Sequence, residues 1–262
     1  LIAIPVGARD AVIKTALARG WNTVTEKPFA TNSSQHKLWC DFAAQHDRKI
    51  FVGLMRRTYK KTIEARNHVR NRDFGSLLRI HASEGARLRR TSAGMGAYQG
   101  NASLSGGGVL IETGSHLIDQ LVTIVDAGSY SHLNSKIDLR DRLDFDAKVK
   151  LVLTNDQRDI PTFIHLSRVE ETANAICMEF EKGLLHVSVP VDEPNYFVMK
   201  GSNIKLLPQT SVIGASAVYQ AFYLQWKEIL DDMKTGKQSR FEAETAKLST
   251  DIIENSYRGT TH

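Results

Sequence analysis

Residues 22–54, NTVTEKPFATNSSQHKLWCDFAAQHDRKIFVGL, read as strand, helix and strand in turn. Asn22 to Thr25 leads into the turn Glu26-Lys27-Pro28. Thr31 or Asn32 can cap a helix running through about Gln45, and Ile50 to Leu54 is the next buried strand. Upstream, Leu1 to Val6 is a short apolar run read as a further strand. Val12, Ile13, Ala16 and Leu17 then fall at helical spacing before Gly20. Repeated βαβ units of this kind build a parallel sheet whose ligand sites lie at the carboxyl ends of its strands. Pro5, the Glu26-Lys27-Pro28 turn and Arg56-Arg57 would all lie at that end.

From about Leu77 the period changes. Between Leu143 and Leu153, the residues Leu143, Phe145, Ala147, Val149, Leu151 and Leu153 alternate with Asp144, Asp146, Lys148, Lys150 and Val152, which predicts a half-exposed antiparallel strand. Shorter runs at Leu77–Ser83, Phe163–Val169, Ala175–Glu181, Leu184–Val189 and Tyr196–Met199 extend this to one open, mixed or antiparallel sheet, with Lys182-Gly183 turning a hairpin. Val218, Phe222, Trp226, Ile229 and Met233 form a helical stripe that ends before Gly236, and a last helix is expected from about Glu242 to Tyr257. The expected fold class is therefore α/β: the C-terminal part of a Rossmann dinucleotide-binding domain followed by an α+β domain with an open, mostly antiparallel sheet. The expected boundaries are 1–57 for the partial Rossmann domain, 58–240 for the substrate and oligomerisation domain, and 241–262 for a C-terminal helix.

Composition narrows the class. A chain of 262 residues, 42% hydrophobic and 24% charged, has the make-up of folded globular material and not of a disordered segment. No apolar run approaches the roughly 20 residues needed to cross a bilayer, and no leader pattern opens the chain, so a soluble protein away from the membrane is expected. Cys40 and Cys177 sit in apolar segments without a partner at metal-site spacing. Buried thiols in a reducing compartment, and hence a cytoplasmic location, are the economical reading. The net charge of +5 is only partly clustered: the densest stretch holds Arg56, Arg57, Lys60, Lys61, Arg66, Arg70 and Arg72, with a second group at Arg87, Arg89 and Arg90. Solvated faces account for such clusters most simply; the alternative is a site for a phosphate or sugar carboxylate. A nucleic-acid partner is not expected.

Two segments carry chemistry. In Glu26-Lys27-Pro28 a proline that fixes its own φ, sometimes in a cis bond, can aim Lys27 into a cleft, although a lysine before proline is more often an exposed turn residue. In Gly106-Gly107-Gly108 through Asp119, a helix over Ile111 to Val125 would place Glu112, His116 and Asp119 on one face, away from Ile118, Leu121, Val122 and Val125. An acid, an imidazole and a second acid so aligned suit proton transfer, because neighbouring carboxylates orient a histidine and raise its pKa. The competing readings are a solvated face, a satisfied structural histidine, or a metal site. Nothing nearby supplies a fourth ligand, and no metal is expected. Close approach of backbone to ligand would account for the glycines.

The strand before Glu26-Lys27-Pro28, the Gly-Gly-Gly-x-x-x-Glu-x-Gly-x-His-x-x-Asp segment and the order βαβ units, open sheet, terminal helices together resemble the Gfo/Idh/MocA oxidoreductases, the glucose-fructose oxidoreductase and inositol dehydrogenase type, over nearly the whole chain. The resemblance implies hydride transfer between NAD or NADP and a carbinol carbon of a sugar, polyol or sugar derivative. It implies that Lys27 binds the substrate hydroxyl, that His116 exchanges the hydroxyl proton, and that Glu112 stands where the family usually has aspartate. It also implies substrate contacts from Asp119, Arg87 and Tyr59, cofactor contacts from Pro5, Glu26, Lys27, Pro28 and Arg57, and a homo-oligomer formed through the open sheet. No G-x-G-x-x-G precedes Leu1, so the pyrophosphate-binding half of the Rossmann domain is expected to be missing and dinucleotide binding by this chain to be weak or absent. Two other functions are compatible with the same resemblance: a dinucleotide-sensing regulatory or scaffold protein without turnover, and an NAD-assisted glycosidase or lyase.

Overall fold

The computed structural model describes residues 1–87, 98–156, 158–190, 195–199, 204–206 and 215–259. Arg89 and Arg90, of the second basic group, lie outside the described residues.

The chain opens with a 3-10 turn at Val6–Ala8 and helix α1 (Asp10–Ala18), followed by β1 (Thr23–Glu26), α2 (Ser33–Gln45) and β2 (Ile50–Gly53). β1 and β2 pair in parallel with Thr23 opposite Ile50. The Asn32 side chain accepts from the Gln35 amide at 2.8 Å and caps α2, as its sequence position predicts. The run Leu1 to Val6 is not a full strand. Only Ile2 bridges to Thr25, through Ile2 N to Val24 O at 2.7 Å and Glu26 N to Ile2 O at 3.1 Å, before Pro5 turns the chain into the 3-10 segment. This still sets Pro5 beside the end of β1.

A second 3-10 turn at Met55–Thr58 leads to α3 (Lys60–Asn71) and β3 (Leu77–Gly85), then to two short helices, α4 (Ala102–Ser105) and α5 (Val109–Glu112), and to α6 (Gly114–Val125). The single helix expected from Ile111 is thus two pieces that meet at Thr113. The strands β4 (Ser129–Arg140), β5 (Leu143–Asn155), β6 (Arg158–Ser167), β7 (Ala175–Phe180), β8 (Gly183–Ser188), β9 (Tyr196–Met199) and β10 (Ile204–Leu206) follow. With β3 they form an eight-stranded sheet in the order β10-β9-β8-β7-β3-β6-β5-β4, antiparallel except for the parallel pair β3–β6. Helix α7 (Ala215–Thr235), a 3-10 turn at Ala243–Ala246 and α8 (Lys247–Arg258) end the described chain, so the last α-helix begins five residues later than its apolar spacing suggests.

Two apolar clusters result. One joins the helices α3, α5, α6 and α8 to one face of the large sheet. The other gathers α1, β1, α2 and β2 with Ile229, Phe241, Ala243 and Ala246 from the C-terminal region. Phe241 O accepts from Val52 N at 2.8 Å, so the segment after α7 packs against the edge of the parallel pair, while Ile252 and Ile253 of α8 belong to the other cluster. No helix among the described residues is long and apolar enough to cross a membrane.

The alternation in β5 breaks where it matters for the site. Asp144, expected to face solvent, is fully buried. Its carboxylate accepts from the amides of Gly108 and Leu110, both at 2.6 Å, and from the Tyr257 hydroxyl at 2.6 Å, which anchors the start of α5. That anchor also explains a glycine. A Cβ on Gly108 would fall 1.9 Å from the Asp144 carbonyl oxygen, so chain packs on chain there and not on a ligand.

Candidate active site

The Glu26-Lys27-Pro28 turn, with a cis Lys27–Pro28 bond, leaves β1 toward the loop that carries α5. Lys27 Nζ donates to the backbone carbonyl of Glu112 at 3.0 Å, which joins the two motifs across 85 residues. Beside this contact lies a cavity of about 240 Å³ lined by Pro5, Arg9, Glu26, Lys27, Pro28, Tyr98, Gln99 and Glu112 among others. Burial, reinforced by the charge of Arg56, pulls the Lys27 ammonium below its ordinary pKa, against the pull of Glu26 and Glu84.

His116 stands on the first turn of α6. Burial above all, and then the charges of Arg56 and Lys27, hold its pKa well below 6.5. The imidazole is therefore neutral. This reverses the expectation that adjacent carboxylates raise its pKa, because both carboxylates are engaged elsewhere. Glu112 is bonded through its carboxylate to Arg168 and to the Gln99 amide. Asp119 is 1% exposed, with its carboxylate on Arg57. His116 Nδ1 is buried without a hydrogen-bond partner among the described residues, while the residue as a whole keeps some exposure.

Of the residues singled out by sequence, the structure brings Pro5, Glu26, Lys27, Pro28 and Glu112 to one cavity; His116 is not among the residues that line it but feels the charge of Lys27. Tyr59 is buried beside Arg56 and Glu84. Three others stand apart. Arg57 and Asp119 saturate one another in the interior, with Thr245 and the Arg240 carbonyl as further partners of Arg57. Arg87 is exposed and donates to the Val169 carbonyl at 3.1 Å.

Sequence reading missed Arg9, Arg168 and the role of Arg56, whose guanidinium grips Glu84 with two bonds of 2.7 Å. None belongs to a motif. Glu84 and Arg168 lie at the ends of β3 and β6, and their strands become neighbours only through the sheet order. Among the described residues, one group could hold a metal ion: Asp146, His165 and Glu170 on the large sheet. Lys148 lies 3.9 Å from Asp146 and 3.7 Å from Glu170 and already supplies a positive charge there.

A scan of family models and a search of curated proteins both return no match for the chain. Solved structures do match. The chain is similar to an aldose-aldose oxidoreductase from Caulobacter crescentus complexed with glycerol, at 14% identity and a TM-score of 0.82, covering 99% of this chain and 77% of that one. It is similar to an inositol dehydrogenase homolog from Azotobacter vinelandii complexed with NAD+, at 13% identity and a TM-score of 0.77, covering 98% and 75%. It is also similar to a super-repressor mutant of Gal80p from Saccharomyces cerevisiae, at 13% identity and a TM-score of 0.79, covering 99% and 77%. The chain shares its fold with the Gfo/Idh/MocA-type oxidoreductases, as the sequence resemblance implies. At this identity the likeness is one of fold.

Proposed function

We propose that the protein is an NAD(P)-dependent oxidoreductase that moves a hydride between nicotinamide and a carbinol carbon of a sugar, polyol or sugar derivative. The contact between Lys27 and the Glu112 carbonyl carries this reading, because it holds an ammonium at the cavity, and the neutral imidazole of His116, one turn beyond Glu112, feels that charge. The neighbours that share the fold support the oxidoreductase class and a nicotinamide cofactor.

Each side chain has a task. In the oxidation direction His116, neutral at rest, takes the substrate hydroxyl proton. Lys27 donates to the same oxygen and stabilises the negative charge that develops there. Glu112 fixes Lys27 through its carbonyl, while its carboxylate is held off by Arg168. The cavity, at about 240 Å³, is smaller than the roughly 300–1,000 Å³ typical of whole drug-sized ligands and fits a ring-and-ribose portion. The donor set also fits: a guanidinium with no carboxylate partner among the described residues, an ammonium and a proline wall at a strand end. Pro5, Arg9, Glu26, Lys27 and Pro28 would hold the nicotinamide end of NAD or NADP, which when bound accepts or returns the hydride. Arg57 and Asp119 have structural tasks in this account.

The domain division at about residue 58, with a homo-oligomer formed through the open sheet face, belongs to the same proposal. Support comes from Lys150, Phe163, His165, Cys177 and His186, which alternate with the buried positions of that sheet and keep exposure. A cytoplasmic location agrees with two free cysteines. The sensor alternative draws support from the Gal80p likeness, but the convergence of Lys27 and His116 favours turnover.

The test is nicotinamide absorbance at 340 nm against sugars, polyols, uronates and nucleotide-sugars, run with wild type, Lys27→Ala and His116→Ala. Turnover that is lost in both variants supports the reading. Dinucleotide binding without turnover on any substrate favours the sensor instead.

A further inference from the structure

Arg9 is 2% exposed, yet it lines the cavity. A guanidinium carries five N–H donors in a planar fork. Three are committed: Nε to the Ile4 carbonyl at 2.8 Å, and Nη1 to the carbonyls of Glu26 and Pro28. The two on Nη2 make no hydrogen bond among the described residues. All three acceptors are neutral, and no carboxylate among the described residues pairs with Arg9. Asp10 holds Lys14 and the Trp39 indole, both at 2.8 Å, and the Glu26 carboxylate, which lines the same cavity, acts on Arg9 through its charge without bonding to it.

A buried charge without a bonded counter-ion is costly, and burial lowers the Arg9 pKa to about 10 against the smaller opposing pull of Glu26 and Tyr98. Such an arrangement is stable when a ligand completes it. The two Nη1 bonds bracket Lys27 in the chain, so an anion on Nη2 would stand beside the turn that presents Lys27.

We propose that Arg9 is the anion-binding residue of the cavity, its Nη2 edge taking an oxygen of a phosphate or carboxylate on the bound ligand. The source of the anion rests on the oxidoreductase reading, since it is either a phosphate of the nicotinamide nucleotide or the acid group of a sugar acid. Arg9 also positions Lys27, because it ties the carbonyls on either side of it.

The test is isothermal titration calorimetry on the full protein with two matched pairs: nicotinamide mononucleotide against nicotinamide riboside, and D-gluconate against sorbitol. In one pair or the other the anion binds wild type at least about tenfold more tightly than its phosphate-free or neutral counterpart, as expected for a charge-assisted hydrogen bond. Arg9→Gln removes that advantage and Lys27→Met retains it. An advantage in the first pair assigns the anion to the cofactor, and one in the second assigns it to the substrate. Equal affinity within both pairs for wild type overturns the proposal, as does an advantage that survives in Arg9→Gln. If Arg9→Gln does not fold, loss of the advantage in Lys27→Met overturns it, because the charge read is then that of Lys27. Failure of the oxidoreductase reading looks different: no turnover on any substrate, with the anion advantage intact.

Discussion

Two buried arginines of this fold are satisfied in different ways. Arg57 spends every donor it has: Nε and Nη2 on Asp119, Nη1 on the Arg240 carbonyl and the Thr245 hydroxyl, and Nη2 again on the Thr245 carbonyl. Arg9 spends three on carbonyls and pairs with no carboxylate among the described residues. The same contrast separates two residues three apart on one helix, for Asp119 is saturated while His116 Nδ1 has no partner among the described residues. Buried polar groups in folded proteins are nearly always satisfied, and the exceptions call for an explanation. Here the satisfied group joins α6 to the Met55–Thr58 turn and to the segment after α7. Arg9 lines the cavity.

The contrast can be broken most severely at its structural end. Asp119→Ala leaves Arg57 buried and unpaired, with an expected loss of about 3–5 kcal/mol in denaturant unfolding. Asp119→Leu combined with Arg57→Met should recover most of that loss. A single variant within about 1 kcal/mol of wild type would refute the structural role. At the other end, His116→Ala should lower kcat/KM by about a hundredfold or more, equivalent to about 3 kcal/mol, while its melting temperature stays near that of wild type.

A third case tests whether a satisfied histidine behaves unlike His116. His36 is 1% exposed, bonded to the Thr250 hydroxyl at 2.9 Å and to the Ala243 carbonyl at 3.0 Å, and burial lowers its pKa to about 4. The unfolded chain takes up a proton near pH 6.5 and the folded one only near 4, so the stability His36 contributes is whole above about 6.5 and fades as pH falls toward 4. The expected loss is on the order of 3 kcal/mol and should vanish in His36→Gln, as urea titrations between pH 7 and 4 would register. The smallest effect is expected at the edge of the cavity. Glu112→Asp withdraws the carboxylate from Arg168 by one methylene and should cost about 1 kcal/mol or less in thermal unfolding.

Local signals in the chain report local structure faithfully. The Asn32 cap, the strand ahead of Glu26-Lys27-Pro28 and the alternation of β5 through Val149 and Leu153 depend on neighbours in sequence. Two elements left little pattern. Helix α3 buries Ala65 and Val69 amid lysines and arginines, and β4, an edge strand, exposes most of its residues. The two halves of the site were legible as motifs, but their electrostatics were not. Asp119 finds Arg57 across 62 residues and Glu112 finds Arg168 across two strands, which leaves burial and the charges of Arg56 and Lys27 to lower the His116 pKa where the carboxylates were expected to raise it. Arg9 left no periodic mark because its partners are backbone carbonyls.

Lys27 and His116 share one proposed site, in which the neutral imidazole feels the charge of the ammonium. The direct measurement is the titration of His116 by NMR of its ring nitrogens, in wild type and in Lys27→Met. The imidazole is predicted to stay neutral from pH 8 to below 6.5 in wild type, and its pKa to rise when the Lys27 charge is removed. A wild-type pKa at or above 6.5, or one that Lys27→Met leaves unmoved, would contradict the account.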